Sequence, residues 1–171
     1  MLEIHKHHPL TYQEMKTGEV EVGFYPEKEF WCTDLAADCA PDDIAQLYAE
    51  FMTDLGDMAS RMPSQLGFLT ELPLDQAQDY MTAAFRFIKE TATVASQTLM
   101  PKITKPSGRY VSIKIDTSLE NILLGLEKLQ EYSKEHDLKV DDILWQFNTD
   151  QRLIKNGSSA QQVLQYRIVE E

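Results

Sequence analysis

The chain has 171 residues, 43% of them apolar and 26% charged, which is the composition of a folded globular protein and excludes wholesale disorder. Lys and Arg number 16 against 28 Asp and Glu, a net charge of −12, so the surface repels phosphate backbones and no direct nucleic-acid binding is expected. No apolar run approaches the roughly 18 residues of a membrane span. The N-terminal MLEIHKHHPLTYQEMK holds no signal-peptide-type segment, so a cytoplasmic chain is expected. Two cysteines, Cys32 and Cys39, are too few for a disulfide framework and are not spaced as zinc ligands. Both are expected to be reduced structural thiols.

Residues 1–17 read as a ragged lead-in, in which His5, His7 and His8 have no matched metal-ligating partner downstream. A solvated terminus is the expectation there. Val20, Val22 and Phe24 then alternate with polar or small residues, a strand pattern closed by Pro26, and Phe30 to Leu35 is a second strand candidate. Pro41, Asp42 and Asp43 suit a helix start. Ile44, Leu47, Tyr48, Phe51, Leu55 and Met58 recur at steps of three and four, predicting an amphipathic helix that Pro63 ends. Ser64 to Leu72 and Met81 to Lys89 read as strands, the latter carrying Phe85 and Phe87 on one side. The stretch holding Pro101 and Pro106-Ser107-Gly108 reads as turn.

The second half repeats this programme. Arg109 to Asp116 is a strand with Val111, Ile113 and Ile115 on one face. Thr117 and Glu120 fit a capping box, and Leu119, Ile122, Leu123, Leu126, Leu129 and Tyr132 make a second amphipathic helix. Ile143 to Asn148 and Val163 to Val169 are strands, joined by a polar loop holding Asn156-Gly157. His136 falls where that second helix ends, at the negative end of its dipole. The expected architecture is α+β: two pseudo-repeated β-α-β-β units forming a curved, mostly antiparallel sheet with a helix from each half packed on it. The expected division is a lead-in of 1–17 and one domain over 18–171, with halves of about 18–100 and 101–171.

Catalytic signatures are missing: there is no G-x-S-x-G, no Gly-rich phosphate loop and no H-E-x-x-H. Glu71 stands out in an otherwise apolar strand, either as a working carboxylate or as an outward-facing charge. In Trp145-Gln146-Phe147, alternation sends Gln146 to the side opposite the two rings, where it is either solvated or lines a cavity. Tyr48 lies on the apolar stripe of the first helix, so its hydroxyl needs a partner or water.

Ile103 to Tyr110 (ITKPSGRY), the Thr117 to Tyr132 helix and the Leu138 to Glu171 stretch resemble the effector-binding domain of MerR-type multidrug regulators such as BmrR, in the wider gyrase-inhibitor-like (GyrI-like) group. Gly18-Glu19-Val20, Pro41 to Tyr48 and Leu66 to Phe87 fit the same domain in order and spacing. The resemblance implies an SHS2-like duplication around a central cavity, which in the family takes bulky, often cationic aromatic molecules against a buried glutamate. Tyr48 falls at the family's cavity tyrosine and Gln146 at its buried glutamate. Thr117 and Ile122 fall at two aromatic cavity positions, and Gln65 falls near another cavity tyrosine. Glu71, Trp31, Phe85, Trp145 and Tyr110 are the further candidates for wall or support.

The function expected on this resemblance is a stand-alone small-molecule binding module, not an enzyme, with no cofactor and no metal, as a monomer or weak dimer. Any effect on transcription would come through a protein partner. Two alternatives remain: hydrolysis of reactive natural products, for which Glu71 would be the base, and a gyrase-inhibitor-type interaction module acting through its acidic surface.

Overall fold

The structure is a computed structural model and describes residues 12, 14–37, 41–61, 63–91, 100–150 and 158–170, with side chains at all but a few of them. The expectations placed on His5, His7, His8, Cys39 and Asn156-Gly157, and on the side chains of Pro41, Asp42 and Met58, lie outside the described residues. The elements in chain order are β1 (Val20–Tyr25), β2 (Lys28–Cys32), α1 (Pro41–Arg61), β3 (Leu66–Glu71), a 3-10 turn (Leu74–Asp79), β4 (Phe85–Glu90), β5 (Lys102–Lys105), β6 (Gly108–Asp116), α2 (Leu119–Glu135), β7 (Lys139–Val140), β8 (Ile143–Asn148) and β9 (Gln161–Glu170).

Sequence pattern and structure part company at several places. Residues 81–84 are turn, and β4 begins only at Phe85. The stretch read as turn around Pro101 contains β5, because its backbone pairs with β2. Thr117 does not cap α2: Ser118 does, its hydroxyl accepting from the Asn121 N–H at 3.1 Å. Leu119 and Leu123, placed on the apolar stripe of α2, are exposed. The stripe runs instead through Ile122, Leu126 and Leu129, with Gly125 between them.

The strands form one antiparallel sheet in the order β1-β6-β9-β8-β3-β4-β2-β5, with β7 paired to β9. The repeat is visible in this order. β6-α2-β8-β9 and β2-α1-β3-β4 are the same unit, and they meet at the β3–β8 pairing, with Phe68 opposite Gln146 and Gly67 opposite Phe147. Gly67 is required at that seam, because a Cβ there would overlap the Gln146 carbonyl oxygen.

Only two residues, Pro26-Glu27, join β1 to β2, although six strand spacings separate these strands in the sheet order. A flat sheet would put them about 29 Å apart, whereas the link reaches about 11 Å. The sheet must therefore curl until its two ends meet. They do so along a ribbon whose register is unbroken, from Val20 opposite Ile113 to Trp31 opposite Lys102, bent where Pro26-Glu27 passes Pro106-Ser107.

The two helices cover one face differently. Under α2 the sheet is aliphatic apart from Tyr166: Val111, Ile113, Ile115, Leu144 and Leu164 pack with Ile122, Leu126 and Leu129. Gly125 lets that helix settle so closely that a Cβ would come 3.0 Å from Ile115 Cγ2 and 3.2 Å from Leu164 Cδ1. Under α1 the sheet is aromatic: Phe51, Leu55 and Ala59 pack with Trp31, Phe68 and Phe87. Gly56 interrupts α1 at φ 86°, ψ 166°, a backbone region open essentially to glycine.

Candidate functional site

The helix face of the central strands carries a line of polar groups that ends among rings. Phe68 sits opposite both Gln146 and Phe87, so strand alternation puts all three on the side of the helices. Phe68 and Phe87 have ring centroids 4.8 Å apart, and Phe85 lies 6.0 Å from Phe68 and 5.9 Å from Phe87. Tyr48 of α1 closes the group, 5.7 Å from Phe87. Phe68 and Phe87 are buried, whereas Tyr48 and Phe85 are half-buried and keep ring surface in reach of solvent. Burial pushes the Tyr48 phenol up from its ordinary pKa.

Beside the rings Gln146 is buried and fully engaged. Its Oε1 accepts from the Tyr80 hydroxyl at 3.0 Å and its Nε2 donates to Gln162 Oε1 at 2.6 Å. Gln162 Nε2 donates to Asn148 Oδ1 at 2.9 Å, and that oxygen also accepts the Ser159 backbone N–H at 2.9 Å. Burial raises the Tyr80 pKa, against a lowering by its bond to Gln146. The floor is thus a chain of uncharged groups, each satisfying the next.

The opposite face of the sheet carries no helix, yet its residues are equally buried, because the sheet curls around them. Tyr25, Phe30, Tyr110, Trp145 and Phe147 form this inner cluster, with Leu69 and Ile88. Tyr12 stacks on Phe147 at 6.0 Å. Inside it sits Lys105, 2% exposed, with Nζ 4.0 Å from the Tyr110 ring centroid, 4.9 Å from Tyr25, 5.4 Å from Phe147 and 5.9 Å from Trp145. Burial, with a smaller push from Lys28, lowers its pKa to about 7, while the ring faces favour the charged form.

The structure therefore brings Tyr48, Phe85 and Gln146 to one face and separates them from the other candidates. Trp145 and Tyr110 belong to the inner cluster across the sheet. Gln65 precedes β3, with its backbone N–H at 3.4 Å from Glu90 Oε1, and its side chain bonds Tyr12. Glu71 is exposed at the end of β3, the outward-facing alternative. Ile122 is core under α2, and Thr117 lies half-buried in the turn before it, its N–H donating to Ala160 O at 2.9 Å. Trp31 is buried beneath α1.

Phe68, Tyr80, Gln162, Asn148 and Lys105 carry no functional mark of their own in the sequence pattern. Alternation along β8 is the signal for Asn148, two residues beyond Gln146 on the same face, whereas Gln162 joins them only through the register of β8 with β9. Among the described residues no group of three or more His, Cys, Asp or Glu is placed to hold a metal ion, and no helix is long and apolar enough to cross a membrane.

No family model and no curated protein matches the sequence. Solved structures do. The C-terminal domain of EcmrR aligns over 90% of this chain and 98% of its own at 7% identity, with a TM-score of 0.66. A hydrolase from Listeria innocua covers 91% and 94% at 10% identity and 0.54. SAV2435, solved bound to tetraphenylphosphonium, covers 88% and 93% at 11% identity and 0.50. At these identities the likeness is one of fold, and the chain has the α+β fold of these structures.

Proposed function

We propose that this chain is a small-molecule binding module whose ligand lies against α1 at the junction of the two repeats, over Tyr48, Phe85 and Phe68, with Gln146 beneath. The observation that carries this reading is the pairing of half-buried rings with a buried, oriented amide. Apolar walls with a few fixed polar groups are the usual make-up of such sites. The fold likeness to SAV2435, solved with an aromatic cation bound, supports a ligand of aromatic character. Trp145, Tyr110 and Gln65 act from the inner face as support, and Thr117 and Ile122 fix the position of α2.

One fold neighbour is a hydrolase, but Glu71, the carboxylate that such chemistry would use here, is exposed at a strand end. The binding reading is therefore preferred. Regulation of transcription, on this reading, passes through a partner protein that supplies the DNA contacts, since a net charge of −12 opposes direct contact.

A thermal-shift screen with uncharged aromatics, aromatic cations and aromatic acids tests the proposal, because a ligand that binds only the folded state must raise the melting temperature. The expected result is stabilisation by at least one class that Phe85→Ala abolishes. Stabilisation by none, or stabilisation that survives Phe85→Ala and Tyr48→Ala, defeats it.

A further inference from the structure

The class of ligand follows from the direction of the hydrogen bonds along the site's floor, an inference that rests on the binding reading above. The chain of groups begins at a backbone N–H, that of Ser159, which donates to Asn148 at 2.9 Å. A backbone N–H only donates, so Asn148 must turn its carbonyl oxygen there. Gln162 donates to the same oxygen at 2.9 Å, which leaves its own carbonyl oxygen facing position 146. Gln146 meets that oxygen with Nε2 at 2.6 Å and offers its Oε1 to the Tyr80 hydroxyl at 3.0 Å. Three amides and a phenol are thus locked in one direction by a main-chain group that no side-chain rotation can reverse.

We propose that this fixed polarity makes position 146 an obligatory donor toward Gln162, so that the floor cannot hold an ionised carboxylate and the site selects uncharged aromatic ligands bringing an N–H or O–H donor to the Tyr80 oxygen. A carboxylate at 146 would set an acceptor against the Gln162 acceptor, at a site where Gln146 and Gln162 are 2% and 0% exposed. A buried mismatch of this kind costs more than a missing hydrogen bond. Turning Gln162 over would only move the clash to Asn148, whose oxygen Ser159 holds in place. Tyr80 uses its proton on Gln146, so what it has left for a ligand is acceptor capacity. A cation entering over this floor would gain attraction from the ring faces but lose hydration and meet no opposite charge in the floor.

Two measurements on the full chain test this separately. The first is urea unfolding of wild type, Gln146→Glu and Gln146→Met from about pH 4 to 8. A glutamate forced to stay protonated makes the folding constant of Gln146→Glu, relative to wild type, fall about tenfold per pH unit above its ordinary pKa near 4.3. Gln146→Met, which carries no charge, gives a pH-independent offset. Tyr80, the titratable group in contact with position 146, has its pKa raised by burial and stays protonated throughout, so it adds no slope. A Gln146→Glu variant with no slope, or one unfolded even at pH 4, overturns the proposal.

The second is calorimetric binding of 2-naphthol and trimethyl(2-naphthyl)ammonium, one ring system as an uncharged donor and as a cation. Wild type is expected to bind the naphthol at least about tenfold more tightly, and equal or tighter binding of the cation overturns the selectivity. If neither probe binds, the binding reading and the selectivity built on it fail together, while the pH slope still decides the polarity of the floor.

Discussion

Aromatic rings are put to opposite uses on the two faces of the sheet. On the inner face Tyr25, Tyr110, Trp145 and Phe147 surround Lys105, so a cage able to receive a cation is filled by one from the chain itself. On the helix face Tyr48, Phe68, Phe85 and Phe87 gather beside an amide, with two rings half-open to water. The first arrangement is closed. The second is left incomplete, and incompleteness is what a binding site needs. Ring content alone says nothing of which face is which; the occupant and the exposure do.

Gly67→Val attacks both faces at once, because its side chain would overlap the Gln146 carbonyl oxygen at the junction of the repeats. A loss on the order of 5 kcal/mol is expected, read as failure to show a cooperative unfolding transition. A folded Gly67→Val protein would mean that the seam is looser than drawn. Phe147→Ala tests the inner face alone. With Phe147 fully buried, about 4 kcal/mol of stability should go, seen in chemical denaturation, while ligand affinity in the surviving folded protein stays within about threefold.

Lys105 sharpens the contrast through pH. Its pKa is lowered to about 7, so from there up to the ordinary lysine value near 10.4 the unfolded chain holds a proton that the folded chain lacks. Stability must therefore rise with pH in that window, by about 2 kcal/mol between roughly pH 7.5 and 9.5. Lys105→Met should reduce this rise, leaving the part that belongs to Lys89, whose pKa burial also lowers, and an unaltered slope would put its origin elsewhere. The smallest expected effect on stability is that of Phe85→Ala, about 1 kcal/mol for a half-buried ring. The same change should weaken ligand binding about tenfold or more. The reverse ranking, with Phe147→Ala abolishing binding and Phe85→Ala silent, would exchange the roles of the two faces.

Much of the architecture was legible. Both long helices and the outline of most strands follow from periods of 3.6 and 2, and the repeat from their order. What periodicity could not supply was register. Trp145 and Phe147 look like the natural partners of a helical layer, yet Gln146 is the residue that faces it. An alternating strand buried on both sides carries no mark of which side is which. β5 was hidden for a related reason: Lys102–Lys105 is short, flanked by prolines and polar, and it is a strand only because β2 lies alongside. Its lysine, ordinary in a turn, acquires its environment from the nearby Tyr110 and from three rings distant in sequence, Tyr25, Trp145 and Phe147. Of the candidate site, Tyr48, Phe85 and Gln146 are legible in the sequence. Asn148 shares the face of Gln146 by alternation along β8, but the bearing of Gln162 on both exists only once β8 and β9 are in register.

The bent ribbon has a consequence for how the molecule is assembled. Val20 pairs with Ile113 and Trp31 with Lys102, so each repeat lends its first strand to complete the other. Separate polypeptides covering 1–91 and 100–171 would each lack a neighbour for an edge they must bury, and neither should acquire protected amides alone. Mixed, they should reconstitute one another and regain slow hydrogen exchange along the ribbon; independent folding of either piece would show that the exchange of strands is ornamental.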